Sequence, residues 1–237
     1  MKTLEEFQKR IGYKFNRFQY LKEALTHRSY SFEKKTEGSD NQRLEFFGDA
    51  VLELIASEYL FNMYEDASEG ELTKMRSAMT RGDALFVLAG KLDLDDYMFL
   101  GKGERSLEGK NQETRVIDAF EALVAAIYLD GGLDPARKFY LELVEQCWSN
   151  PYELMLKQNP KGSLQELTQK VYGVRPDYKL HHVSGQEHSP TYEINVLVKG
   201  DVIGRGTAGS RKKAEEEAAR KAYDFLVLSE KGIEKSS

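Results

Sequence analysis

The chain has 237 residues, enough for one large domain or two small ones, and 41% hydrophobic against 31% charged residues, an ordinary balance for a water-soluble protein. Its one cysteine, Cys147, excludes an internal disulfide and a cysteine zinc cluster. No run approaches the roughly 20 apolar residues of a membrane span, and the opening MKTLEEFQKRIGYKF lacks the apolar core of a signal peptide, so a cytoplasmic location is expected. The formal net charge of -5 argues at first against a nucleic-acid partner. The charge is uneven, however. Residues 154–237 hold 14 Lys and Arg against 11 Asp and Glu, a balance of +3, which leaves the preceding residues at -8. Such asymmetry points to two domains with different tasks, unless the charges are simply solvated faces.

Residues 1 to about 150 read as nearly all helix. Apolar residues recur at threes and fours in LEEFQKRIGY (4–13), YLKEALTH (20–27), LEFFGDAVLELIASEYLFNMY (44–64), ELTKMRSAMTRGDALFVLAGKL (71–92), TRVIDAFEALVAAIYLDGG (114–132) and ARKFYLELVEQCW (136–148). DGG at 130–132 ends one helix and Pro135 starts the next. No strand alternation or internal repeat is present in this half. SNPYELMLKQNPKG (149–162), with two prolines and a glycine, reads as a linker holding a short helix. The expected division is a helical domain at 1–150, a linker at 151–160, a second domain at 161–230 and a frayed tail.

In the second domain, GSLQELTQKVYG is predicted as a helix with Ser163 as N-cap and Gly173 as stop. PDYKLHHVSG and PTYEINVLVKGDVIGRGTAG alternate like strands, with KGD as a tight turn. SRKKAEEEAARKAYDFLVL closes the domain as a helix capped by Ser210. The fold class is therefore an all-α domain followed by a small α+β unit of order α-β-β-β-α.

Two acidic pairs stand inside apolar helices. Glu45 and Asp49 are four apart and share a helix face, as do Asp118 and Glu121, three apart. Carboxylates this close repel and raise each other's pKa. They are either solvated helix edges or ligands of a divalent cation. An all-oxygen set without Cys or a nearby ExxH suits Mg²⁺, or Mn²⁺, better than zinc or a di-iron centre. Gly48, without a side chain, allows another helix or a ligand to come close.

These residues carry a resemblance. NQRLEFFGDAVL resembles the signature of bacterial ribonuclease III, and DAFEALVAAIYLDGG its second acidic motif. ALTHRSY, SEGELTKMRSAMTRGDAL and the C-terminal domain match in the same order, over nearly the whole chain. The resemblance implies a helical endonuclease domain that forms a homodimer and cuts both strands of double-stranded RNA with Mg²⁺, leaving 5′-phosphate and 3′-hydroxyl ends. It implies metal ligands at Glu45, Asp49, Asp118 and Glu121, with Asp49 and Glu121 catalytic. It also implies processing of ribosomal RNA precursors and other transcripts. One departure is Gln42, where the family usually has Glu; that position and Glu69 are implicated in an accessory role near the cleavage site. Asn41 and Arg43 are expected to orient the acidic helix.

The C-terminal unit resembles a double-stranded RNA-binding domain. The resemblance implies phosphate contacts from Arg211, Lys212 and Lys213, at a helix start that already favours anions. It implies minor-groove contacts from Gln165 and Glu166 on the first helix and from His188 in a loop. His27 is expected to be a structural helix-end residue, and His181 and His182 to be strand residues without a task. Two other readings stay open: an RNA-binding module that does not cut, and a helical metalloprotein with no RNA role.

Overall fold

In a computed structural model, residues 3–35, 40–106, 108–186 and 189–234 are described. They form two compact units, Met1–Pro151 and Tyr152–Ser237.

The first unit is helical. Its frame is the pair α4 (Gln42–Met63) and α8 (Lys110–Gly131), both of 22 residues. Helix α8 is enclosed: every residue from Ala122 to Ile127 is buried, so the run ALVAAI is apolar on all sides. Around this pair lie α1 (Leu4–Arg10), α2 (Phe18–Ala24), α3 (Arg28–Lys34), α5 (Glu69–Thr80), α6 (Gly82–Lys91), the short α7 (Lys102–Arg105) and α9 (Leu133–Cys147). The expectation of an all-α first domain holds, with one isolated parallel bridge, Thr26 to Phe99, as its only extended pairing among the described residues.

The periodic run 71–92 is two helices rather than one. Arg81 is extended (φ -70°, ψ 152°) and ends α5, whose start is closed by a Ser68–Glu71 capping box. Helical spacing continues across the break, so apolar periodicity alone could not reveal it. The helix α3 carries only one buried residue, Ser31, and so has no apolar stripe to read. His27 is its N-cap, with Nδ1 accepting from the Ser29 N–H at 3.3 Å. Asp130, at the end of α8, fastens the N-terminal loop: its carboxylate accepts from the Tyr13 hydroxyl and from the Asn16 and Arg17 backbone N–H groups.

Helix α10 (Pro151–Gln158) is followed at once by α11 (Pro160–Tyr172). Asn159, not Ser163, is the N-cap of α11; Pro160 fits its first turn, where no N–H is needed. Ser163 is buried inside the helix, its hydroxyl donating to the Asn159 carbonyl at 3.0 Å. The sheet is antiparallel in order β1 (Asp177–Gln186), β2 (Ser189–Val198), β3 (Asp201–Ala208). Lys199 (φ 53°) and Gly200 (φ 95°) make the tight β2–β3 turn. The last helix, α12 (Arg211–Glu234), starts with Ser210 Oγ accepting from Lys213 N–H and runs into the segment expected to fray. It packs on β3 through Ala214, Ala218 and Ala222; a Cβ on Gly204 or Gly206 would strike its backbone. The second unit is thus the expected α-β-β-β-α fold.

Candidate active site and RNA-binding surface

The acidic helices meet at Gly48. A Cβ there would overlap the carbonyl oxygen of Glu121, so α4 and α8 cross backbone to backbone and only glycine fits. The crossing brings Glu45 and Asp49, flanking Gly48, to the turn of α8 that carries Asp118 and Glu121. The electrostatics record the meeting. Glu121 is pushed up from 4.5 to about 8, first by burial, then by the charges of Asp49, Asp118 and Glu45. Burial likewise raises Asp118 and Glu45, and Asp118 raises Glu45 further; the Arg28 guanidinium opposes both shifts. Asp49 is exposed. Among the described residues, no three His, Cys, Asp or Glu side chains close into a metal-ligating cluster. The four carboxyl groups share this neighbourhood, as the charges of Asp49, Asp118 and Glu45 acting on Glu121 record. The donor set nevertheless fits a hard divalent cation: it is all oxygen, and a half-buried acid that keeps its proton near neutrality is relieved by such a charge.

Glu45 and Asp118 open into a polar pocket of about 450 Å³ that is also lined by His27, Arg28, Asn41 and Gln42. Gln42, the departure from the resembled signature, is therefore at the acidic site. Glu69 is not brought to it: it stands at the start of α5 and lines a separate, mostly apolar groove with Leu54, Phe61 and Leu72. His27 is half-buried, and burial lowers its pKa. Its ring pairs with Ser29, in keeping with a structural role. Sequence reasoning missed Arg28 and Arg115. Arg115, 4% exposed, lies on α8 between Asp95 and Glu104, which orders the 95–104 segment beside the pocket. Its helical spacing gave no sign that a charge there is buried.

In the second unit, Gln165 and Glu166 are exposed on α11, and Arg211, Lys212 and Lys213 are exposed at the start of α12. Glu215 accepts from Lys161 at 2.6 Å and Arg211 at 3.0 Å, which holds the two cations beside each other. Lys161 had no sequence signal, because its neighbour is 54 residues away. His181 and His182 lie in β1, at a bulge. His188 falls outside the described residues.

No helix among the described residues is long and apolar enough to cross a membrane. Residues 18–146 match the ribonuclease-III-like family model, and residues 160–226 match the double-stranded RNA binding motif. The chain is 41% identical to ribonuclease 3 of Nitratiruptor sp. over 95% of its own length and 98% of that protein's. It is 39% identical to ribonuclease 3 of Treponema denticola, covering 94% and 91%. The nuclease domain of ribonuclease III from Campylobacter jejuni superposes with a TM-score of 0.58 at 33% identity, covering 62% of this chain and 100% of that one; that structure was described for flexibility in a region involved in its dimer formation. Taken with the paired acidic helices and the α-β-β-β-α unit, these matches place the chain in the ribonuclease III family, as an endoribonuclease that carries a double-stranded RNA-binding domain.

Proposed function

We propose that the protein hydrolyses phosphodiester bonds in both strands of double-stranded RNA in a Mg²⁺-dependent reaction, with Mn²⁺ able to substitute, leaving 5′-phosphate and 3′-hydroxyl ends. The observation that carries this reading is the α4–α8 crossing at Gly48, which sets Glu121 among Asp49, Asp118 and Glu45. Glu45, Asp49, Asp118 and Glu121 would hold the cation. When bound, it neutralises the scissile phosphate and lowers the pKa of an attacking water. The protein's own part is positional. The backbone contact at Gly48 keeps the two acidic helices in register, and burial raises Glu121 so that its carboxyl holds a proton near neutrality, one it would give up on serving as a metal ligand. Gln42 adds hydrogen-bonding capacity beside Glu45 without a charge.

Arg211, Lys212 and Lys213 hold phosphates of the duplex, and Gln165, Glu166 and His188 reach its minor groove. The working form is a homodimer through the first unit. On α4, Phe46 (82% exposed), Leu54 (51%) and Phe61 (70%) leave an apolar stripe that a second copy would cover. Two sites then serve two strands. Ribosomal precursors and other transcripts in the cytoplasm are the natural substrates. The test is cleavage of a perfect RNA duplex with Mg²⁺ against EDTA, with the product ends mapped. Equal cutting in EDTA refutes metal dependence; no cutting in either refutes the reading.

A further inference from the structure

The polar pocket beside the carboxylates holds donors that a cation site does not need. Asn41 is 2% exposed, and its Nδ2 has no hydrogen-bond acceptor among the described residues. A buried amide N–H without an acceptor is costly, so such a group calls for an explanation. Capping does not supply one. Asn41 occupies the N-cap position of α4, yet its side chain makes no cap bond. The cap falls to Asp40, whose Oδ1 accepts from Gln42 N–H at 3.2 Å. The second donor is Arg28, which lines the same pocket and has no carboxylate bonded to it among the described residues.

The place of Arg28 is built from both sides. The Phe99 N–H donates to the Leu25 carbonyl at 2.8 Å, the His27 N–H to the Phe99 carbonyl at 3.1 Å, and the Asn41 N–H to the Thr26 carbonyl at 2.9 Å. The Gly101 N–H donates to Ser29 Oγ at 3.0 Å and the Lys102 N–H to Glu33 at 2.7 Å. These bonds fix the backbone on both sides of Arg28, whose side chain is exposed and lines the pocket; Arg presents several donors in a fixed fork that suits phosphate oxygens.

A cation beside Glu45 and Asp118 is of no help to a metal, since like charges repel. It does help an anion enter a site that is otherwise acidic. We propose that Arg28 and the Asn41 amide form an anion subsite that holds a non-bridging oxygen of the RNA phosphodiester chain next to the bond being cut. This rests on the hydrolase reading above. Neither residue touches the reacting atoms; both position the strand. The subsite makes the two charges work in opposite directions: without Arg28, RNA is held less well and a divalent cation is held better.

The test uses the full chain and three variants, Arg28→Gln, Arg28→Lys and Asn41→Leu, the last close in shape to asparagine without its donor. Single-turnover cleavage of a perfect RNA duplex is measured across a KCl series, and thermal melting with and without MnCl₂. The subsite predicts that Arg28→Gln and Asn41→Leu cut at least about tenfold more slowly. Arg28→Gln should also flatten the log–log salt dependence of kcat/KM by about one unit, as for one lost phosphate contact. Arg28→Lys should keep the slope and lose rate, because the charge survives and the fork does not. Asn41→Leu should melt no lower than wild type, since it removes an unsatisfied donor, and MnCl₂ should raise the melting point of Arg28→Gln more than that of wild type. Wild-type rates and slopes in the variants of an active enzyme overturn the subsite alone. Variants that melt several degrees lower and recover full rate at a lower temperature assign both residues to the scaffold and also overturn it. A wild-type chain that does not cut duplex RNA overturns the hydrolase reading and the subsite together.

Discussion

Replacing Glu121 by Gln keeps the shape of the side chain and removes the most strongly shifted ionisable group of the site. Its pKa lies at about 8 in the folded chain against an ordinary 4.5. Between these values the folded protein keeps a proton that the unfolded chain releases, so stability falls as pH rises through that window. The slope is about 1.4 kcal/mol per pH unit at most, or about 3 kcal/mol accumulated by neutral pH. Partial access to water reduces this to the order of 1–2 kcal/mol. Without metal, Glu121→Gln should therefore be more stable than wild type at pH 7, by about 2–8 °C in Tm for a chain of this size. The difference should shrink toward zero as pH falls to 4.5. With Mg²⁺ the order reverses, because only the wild type gains a full set of ligands. Cleavage should fall about a hundredfold or more, with partial rescue by higher Mg²⁺ or by Mn²⁺, while duplex RNA binding stays near normal. Melting curves at several pH values, beside single-turnover cleavage and a binding titration, check all of this. Near-wild-type cutting with no pH-dependent gain in Tm would show that Glu121 is only a solvated helix charge and would refute the reasoning.

Gly48→Ala should cost about 1–3 kcal/mol in urea unfolding, the usual cost of overpacking, and depress cleavage further by moving α4 from α8; an unchanged midpoint and rate would mean the crossing tolerates a methyl. Lys212→Ala should weaken duplex binding and reduce its log–log salt slope by about one unit if Lys212 meets one phosphate, as measured on the full chain in EDTA. Gln42→Glu should change rate or product choice only modestly, because all four carboxylates remain; a thousandfold change, about 4 kcal/mol of barrier, would show that this position carries more of the chemistry. Light scattering at micromolar concentration should give the mass of a dimer, and Phe46→Asp should shift it toward the monomer by placing a charge on the exposed apolar stripe.

Much of the fold was legible because it is local. The long helices α4 and α8 announce themselves by apolar spacing, the second unit by its change of period, and the β2–β3 turn by Gly200, which takes a positive φ without strain. The acidic pairs were legible for the same reason, as three- and four-residue spacing fixes a shared helix face. What spacing could not supply is whatever depends on one helix meeting another. The break at Arg81 leaves the periodicity intact, and α3 has no apolar stripe, so neither leaves a local mark. The joining of the two acidic pairs needed Gly48 to lie on the backbone of Glu121, a contact across 73 residues. Arg28, Arg115 and the unpaired amide of Asn41 likewise acquire meaning only from the surfaces folded around them. For Arg115 and Asn41 burial, not residue type, decides what the group can do, and burial is a property of the packed chain alone.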